Sequence, residues 1–205
     1  MRQERMMRGF EEFWKRFFPE RATLSREEAL KMVGEPREGQ LSNKPDDEMA
    51  GYQDRVAAVY GSYERLEFQL ATLFRLLENL TFPSGHIVSL GAGPGSYELW
   101  LLWLGKVERV TLVDHSFKML ERARDIAEKL VVREKVELIR ADAKNSNLPL
   151  ALADAVFCIN ALYWSENWKR WIFEMARLVK PKGEAFISCS LLAPRSKITS
   201  SELEK

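Results

Sequence analysis

Cysteine and histidine are scarce in this 205-residue chain. Its two cysteines, Cys158 and Cys189, both lie inside apolar runs, so they read as buried free thiols of a reducing compartment rather than a disulfide or a metal pair. The two histidines, His86 and His115, have no partners at zinc-ligand spacing. An excess of one charge is also missing. Thirty-one basic residues against 30 acidic ones imply no bulk attraction to nucleic acid or to an anionic membrane. No apolar run reaches the length of a membrane span, and the N-terminus has no uninterrupted signal-peptide core. Internal repeats and low-complexity tracts are absent. These absences predict a soluble cytoplasmic protein, with neither nucleic acid nor membrane as partner. An apolar content of 46% supplies a sizeable core for one domain with an appendage.

The most informative stretch is His86-Ile-Val-Ser-Leu-Gly-Ala-Gly-Pro-Gly-Ser96. Ile87, Val88 and Leu90 predict a short buried strand, and Tyr97–Leu104 predicts a helix. Between them stand Gly91, Gly93 and Gly95. A strand, a tight glycine turn and a helix form a nucleotide-binding corner. One glycine permits the sharp exit from the strand, and the others let a ligand approach the backbone without meeting a Cβ. Unpaired N–H groups of the first helical turn then point at that ligand. A dinucleotide fingerprint would place its third glycine at Ser96, but here it comes one residue early, at Gly95. A tight turn with no ligand would carry the same three glycines.

Upstream, Phe10, Phe13, Trp14, Phe17 and Phe18 recur at helical spacing before Pro19. That face could cover the main domain, dimerise or lie on a membrane, and acidic residues within its basic side favour the first. Ser25-Arg26-Glu27-Glu28 is a capping box with Gly34 at the expected C-cap, which predicts a helix over 26–33. Residues 35–48 read as a loop. Residues 49–80 hold one long helical pattern with a break near Gly61. Downstream, strands alternate with helices. Strands are predicted at Val110–Val113, Val136–Ile139, Ala155–Ile159 and Ala185–Cys189, and helices at Phe117–Leu130 and Glu166–Val179. Pro181-Lys182-Gly183 is predicted as the turn before the last strand. This order implies an α/β fold, a doubly wound, mostly parallel sheet whose ligands lie at the carboxyl ends of its strands. Gly91–Gly95, Asp114, Asp142 and Asn160 all fall at such ends.

Five stretches, in order, resemble the motifs of the class I S-adenosylmethionine-dependent methyltransferases, over roughly residues 50–190. The glycine turn resembles motif I. Val110-Thr-Leu-Val-Asp114-His115-Ser-Phe-Lys-Met119 resembles the second-strand motif, and Ile139-Arg-Ala-Asp142-Ala143 the stretch after strand three. Ala153-Asp-Ala-Val-Phe-Cys-Ile-Asn160-Ala-Leu-Tyr163-Trp164 resembles strand four and its exit loop, with Tyr163 in place of the usual histidine. Arg177-Leu-Val-Lys-Pro-Lys-Gly183 resembles the turn before strand five. Upstream, Asp54-Arg-Val-Ala-Ala-Val-Tyr60 resembles the family's pre-strand helix.

The resemblance implies S-adenosyl-L-methionine as cofactor and methyl transfer to a small-molecule acceptor by in-line displacement. It implies cofactor contacts from Gly91, Ala92, Gly93, Gly95, Asp114, His115, Met119, Asp142, Ala143, Asn160 and Tyr60. Asp114 would accept from the ribose hydroxyls, Asp142 would face the adenine amine, and Tyr60 would reach the methionine end. Each has a plainer reading: a charge at a helix N-terminus for Asp114, a turn cap for Asp142, a core tyrosine for Tyr60. Tyr163 and Trp164 are candidates for orienting substrate, or for packing, and no residue stands out as a general base. Two features depart from the family. Ser89 occupies a position that is often acidic and helps hold the methionine amino group. After Cys189, only Ser190–Lys205 remain for the antiparallel hairpin that normally completes the sheet. The expected division is a helical cap over 1–80 and a cofactor-binding domain of five strands over 81–205. Its edge strand would be covered by the tail, the N-terminal helices, or a second subunit of a homodimer. A non-catalytic scaffold on the same fold, and an RNA or protein methyltransferase, are the competing functions.

Overall fold

A computed structural model describes residues 2–18, 46–60, 63–79, 85–162, 165 and 167–188. Three helices come first: α1 (Arg2–Phe17), α2 (Asp46–Val59) and α3 (Tyr63–Asn79). An alternating series follows: β1 (His86–Leu90), α4 (Ser96–Trp103), β2 (Arg109–Asp114), α5 (Phe117–Lys129), β3 (Val136–Arg140), β4 (Ala153–Ile159), α6 (Trp168–Leu178) and β5 (Val179–Ser188). The helix expected over 26–33 and most of the loop expected over 35–48 lie outside the described residues. So does Cys189, whereas Cys158 is buried. The long pattern of 49–80 is two helices, and the first begins at Asp46, inside the stretch expected to be loop.

The sheet has the order β3-β2-β1-β4-β5, and every pairing is parallel. Strand order reverses at β1, so the crevice between the ends of β1 and β4 is a topological switch point, where open α/β sheets bind ligands. Alternation along the strands sorts the core into two layers. Ile87, Val110, Leu112, Ala155 and Phe157 pack with residues of α1, α3, α4 and α5. Val88, Leu90, Val113, Val156 and Cys158 pack with Trp171, Met175 and Leu178 of α6.

The aromatic face of α1 belongs to the first layer. Phe10, Phe13, Trp14 and Phe18 are buried. The Phe10 ring stacks on Tyr97 at 5.4 Å and meets Trp100 edge-on at 5.3 Å. This helix therefore covers the sheet's helical layer, as its acidic interruptions favoured. In turn α2 is fastened to α5 by one carboxylate. The Ser116 hydroxyl, N-cap of α5, donates to Asp54, and the Lys118 N–H donates to it at 3.2 Å. A negative charge at a helix N-terminus is favourable there.

The end of the sheet departs from expectation. Val179 already pairs with Ala153, and the pairing then jumps to Ala155 with Glu184. Pro181-Lys182-Gly183 is thus looped out inside β5 rather than preceding it, with Lys182 at φ 67°. Proline has no N–H to give a ladder, so it is accommodated where the ladder is interrupted. Between β3 and β4 the chain crosses without a helix. It is held by Glu174, which accepts from the Ser146 N–H at 2.9 Å, and by Arg177, which donates to the Leu148 carbonyl at 2.7 Å. Burial pushes the Glu174 carboxyl up, but the bonds from Arg177 and Ser146 outweigh this and hold it below its ordinary range.

Candidate active site

The turn after β1 is held against β2 by its backbone. The N–H groups of Gly91 and Ala92 donate to the Val113 carbonyl at 2.9 and 3.1 Å. Gly91, Gly93 and Gly95 all have positive φ, at 67°, 57° and 65°. The space around them differs. A Cβ on Gly91 would stand 2.5 Å from that of Ala161, and one on Gly95 would stand 2.4 Å from a Leu112 methyl. Those two glycines answer to the packing of the protein itself. Only at Gly93 would a Cβ enter ordinary van der Waals space, 3.8 Å from the Tyr60 ring and hydroxyl and 3.9 Å from the Met119 sulfur. Of the three, Gly93 is the one whose bare backbone borders the crevice.

Asp114 stands beside Gly93 at the end of β2. One carboxylate oxygen accepts the Gly93 N–H at 2.7 Å and the other accepts the Ser116 N–H at 2.8 Å. Burial pushes the carboxyl above its ordinary value, against the bonds from Ser116 and Gly93 and the charge of His115. Each oxygen uses one N–H bond, which leaves acceptor capacity for further donors.

Tyr60 and Met119 stand on the side of Gly93 where a Cβ would lie. The Tyr60 ring lies 5.9 Å from Trp14 and 6.0 Å from Phe18, so it packs on α1. Its hydroxyl accepts from the Gln69 amide of α3 at 3.3 Å. The packed ring and the hydroxyl beside Gly93 are two ends of one side chain.

Other expected residues lie elsewhere or carry other contacts. His115 offers its carbonyl to Arg140 at 3.3 Å. The Ala141 N–H donates to the Asp114 carbonyl at 3.3 Å, which brings Asp142 beside the end of β2. There the Asp142 carboxylate caps its own turn, accepting the Lys144 N–H at 2.9 Å and pairing with the Lys144 ammonium at 3.3 Å. Ala143 is buried in the second layer. Asn160, at φ 54°, joins three elements. Its N–H donates to the Ser188 carbonyl at 2.7 Å and its amide donates to Thr72 of α3 at 3.2 Å. Tyr163 and Trp164 lie outside the described residues. Among the described residues, no cluster of ligating side chains could hold a metal, and no helix is long and apolar enough to cross a membrane.

The sequence reading passed over Glu98 in α4. It is 1% exposed, and its carboxylate accepts from the Ser89 hydroxyl at 2.6 Å. Burial, against that bond and the backbone N–H groups of Glu98 and Tyr97, pushes its pKa up to about 7. The signal was present: one acid in the otherwise apolar Tyr97–Trp103 helix, and one serine in the otherwise apolar core of β1.

Comparison with known proteins agrees with this geometry. Residues 88–187 match the family model described as a methyltransferase domain. The malonyl-[acyl-carrier protein] O-methyltransferase of Legionella pneumophila is 31% identical over 111 residues, which cover 54% of this chain and 38% of that protein. A candidate S-adenosyl-L-methionine-dependent methyltransferase from Methanococcus maripaludis superposes with a TM-score of 0.56 at 15% identity, over 76% of this chain and 67% of that one. A candidate methyltransferase from Bacillus halodurans gives 0.54 at 18% identity, over 62% and 54%. The chain therefore spans well under two thirds of the curated relative it matches, and the two structural likenesses are of fold. Residues 88–187 thus match a methyltransferase domain, and they carry it on a parallel five-stranded sheet with a glycine turn after β1 and an acid at the end of β2.

Proposed function

We propose that this chain binds S-adenosyl-L-methionine at the Gly93–Asp114 crevice and transfers its methyl group to a small-molecule acceptor. The observation that carries this reading is the Asp114 carboxylate, fixed by two backbone N–H groups with acceptor capacity left over. Such a group suits a vicinal diol, and a ribose offers one. Gly93 leaves the backbone bare at the same point, and Met119 and Tyr60 give it apolar and hydroxyl flanks. Asp142 and Ala143 follow the end of β3 beside Asp114 and suit the adenine side. Asn160, at the β4 exit, borders the switch point.

When bound, the cofactor supplies an activated sulfonium methyl. The residues of this chain then have to orient and to exclude water, since alignment contributes most to an in-line displacement. Asp114 and the glycine turn fix the adenosine end. Tyr60, anchored by α1 and Gln69, fixes one wall. Near-neutral charge supports a small acceptor over a nucleic acid.

Titration calorimetry with S-adenosylhomocysteine tests the reading. The chain binds it, and Asp114→Ala weakens the affinity by about tenfold or more, the scale of losing one or two hydrogen bonds to a charged group. A folded protein that takes up no ligand at millimolar concentration refutes the cofactor assignment. Unchanged affinity in Asp114→Ala removes the ribose role.

A further inference from the structure

Strand β1 has a serine where an acid often helps hold the amino group of the cofactor, yet the structure does not lack a carboxylate there. Glu98 reaches back from the first turn of α4 to the Ser89 hydroxyl, 2.6 Å away. Ser89 precedes Gly91 by two residues and Glu98 follows Gly95 by three, so the pair joins both arms of the glycine turn. Only one oxygen of this carboxylate is used. Glu98 Oε2 is buried and has no hydrogen-bond partner among the described residues, and the same holds for Gln69 Oε1. The other end of the Gln69 amide is bonded to Tyr60, whose hydroxyl borders Gly93. Both orphaned groups are acceptors. A buried acceptor without a partner is costly, more so when charged, and a group with several N–H donors satisfies acceptors of this kind.

We infer that Glu98 supplies from the helix the carboxylate that β1 lacks at Ser89, and that it binds the amino-acid ammonium of the S-adenosyl ligand. The inference rests on the cofactor reading above. Ser89 holds Oε1 and leaves Oε2 for the ligand; Gln69 offers a neutral second acceptor. An ammonium has three N–H donors and a positive charge, which suits one carboxylate oxygen and one amide oxygen.

Two ligands separate this role from a structural one. S-adenosylhomocysteine carries the amino-acid group; 5′-methylthioadenosine keeps the adenosine and the thioether without it. Glu98→Gln retains the shape and the bond to Ser89. The expected result is a loss of tenfold or more in affinity for S-adenosylhomocysteine, with affinity for methylthioadenosine kept within about twofold. The reciprocal double variant, Ser89→Asp with Glu98→Ser, returns the acid to the strand and restores the preference for S-adenosylhomocysteine. Equal losses for both ligands, no loss for either, or a double variant without the preference each overturn the assignment. A native chain that binds methylthioadenosine but not S-adenosylhomocysteine overturns it alone. A native chain that binds neither overturns the cofactor reading with it.

Discussion

Replacing Glu98 by glutamine removes a titrating group from a site of 1% exposure and keeps its bond to Ser89. Burial in the free protein favours the protonated acid, with a pKa of about 7 against an ordinary value of 4.5. At about 1.4 kcal/mol per tenfold change, that difference corresponds to about 3 kcal/mol of stability. The sign follows from which form the fold prefers. The folded pKa is raised, so the fold binds the proton more tightly than the unfolded chain does. The contribution is fully present below pH 4.5, is lost as the pH rises towards 7, and is constant above it. Glutamine does not titrate. Urea unfolding of the ligand-free native chain and of Glu98→Gln, from pH 4 to 8.5 at about 0.5-unit steps, gives the difference directly. Groups common to both proteins, such as Asp114 and Glu174, cancel. The expected difference curve rises in favour of the variant by about 3 kcal/mol between pH 4.5 and 8. A flat curve, or one that falls, refutes the claim that this carboxyl is buried without a compensating charge.

Two further outcomes follow from the packing. Gly91→Ala, whose Cβ would meet Ala161 at 2.5 Å and the Trp171 ring at 3.1 Å, costs more stability than Gly93→Ala. The latter bears only the strain of a left-handed residue, about 1–2 kcal/mol, but loses affinity for S-adenosylhomocysteine; equal melting temperatures would contradict this division of roles. Phe10→Ala empties a buried position between Tyr97 and Trp100 and should cost about 3–5 kcal/mol. A single cooperative urea transition that moves to lower midpoint checks it, and a loss below about 1 kcal/mol would show that α1 is only loosely attached.

Much of this protein was legible from local order along the chain. Strand and helix alternation follows from hydrophobic period, which places a helix from Phe117 where α5 begins. The convergence of Gly93 and Asp114 was also legible, since parallel strands bring their carboxyl ends to one edge. What lay beyond reach were contacts between residues remote in sequence, or choices among equivalent donors. Gly95 looked like a ligand-facing glycine, yet the direction of its missing Cβ is decided by Leu112 of another strand. Asp142 turned to Lys144, two residues away, because an Asx turn competes with any ligand for the same oxygens. The Pro181-Lys182-Gly183 turn was plain, but its place inside the ladder required the register with β4. Ser89 read alone as a missing charge. Only the docking of α4 on β1 shows the carboxylate of Glu98 standing beside it, since sequence specifies which groups exist and tertiary packing decides which of them meet.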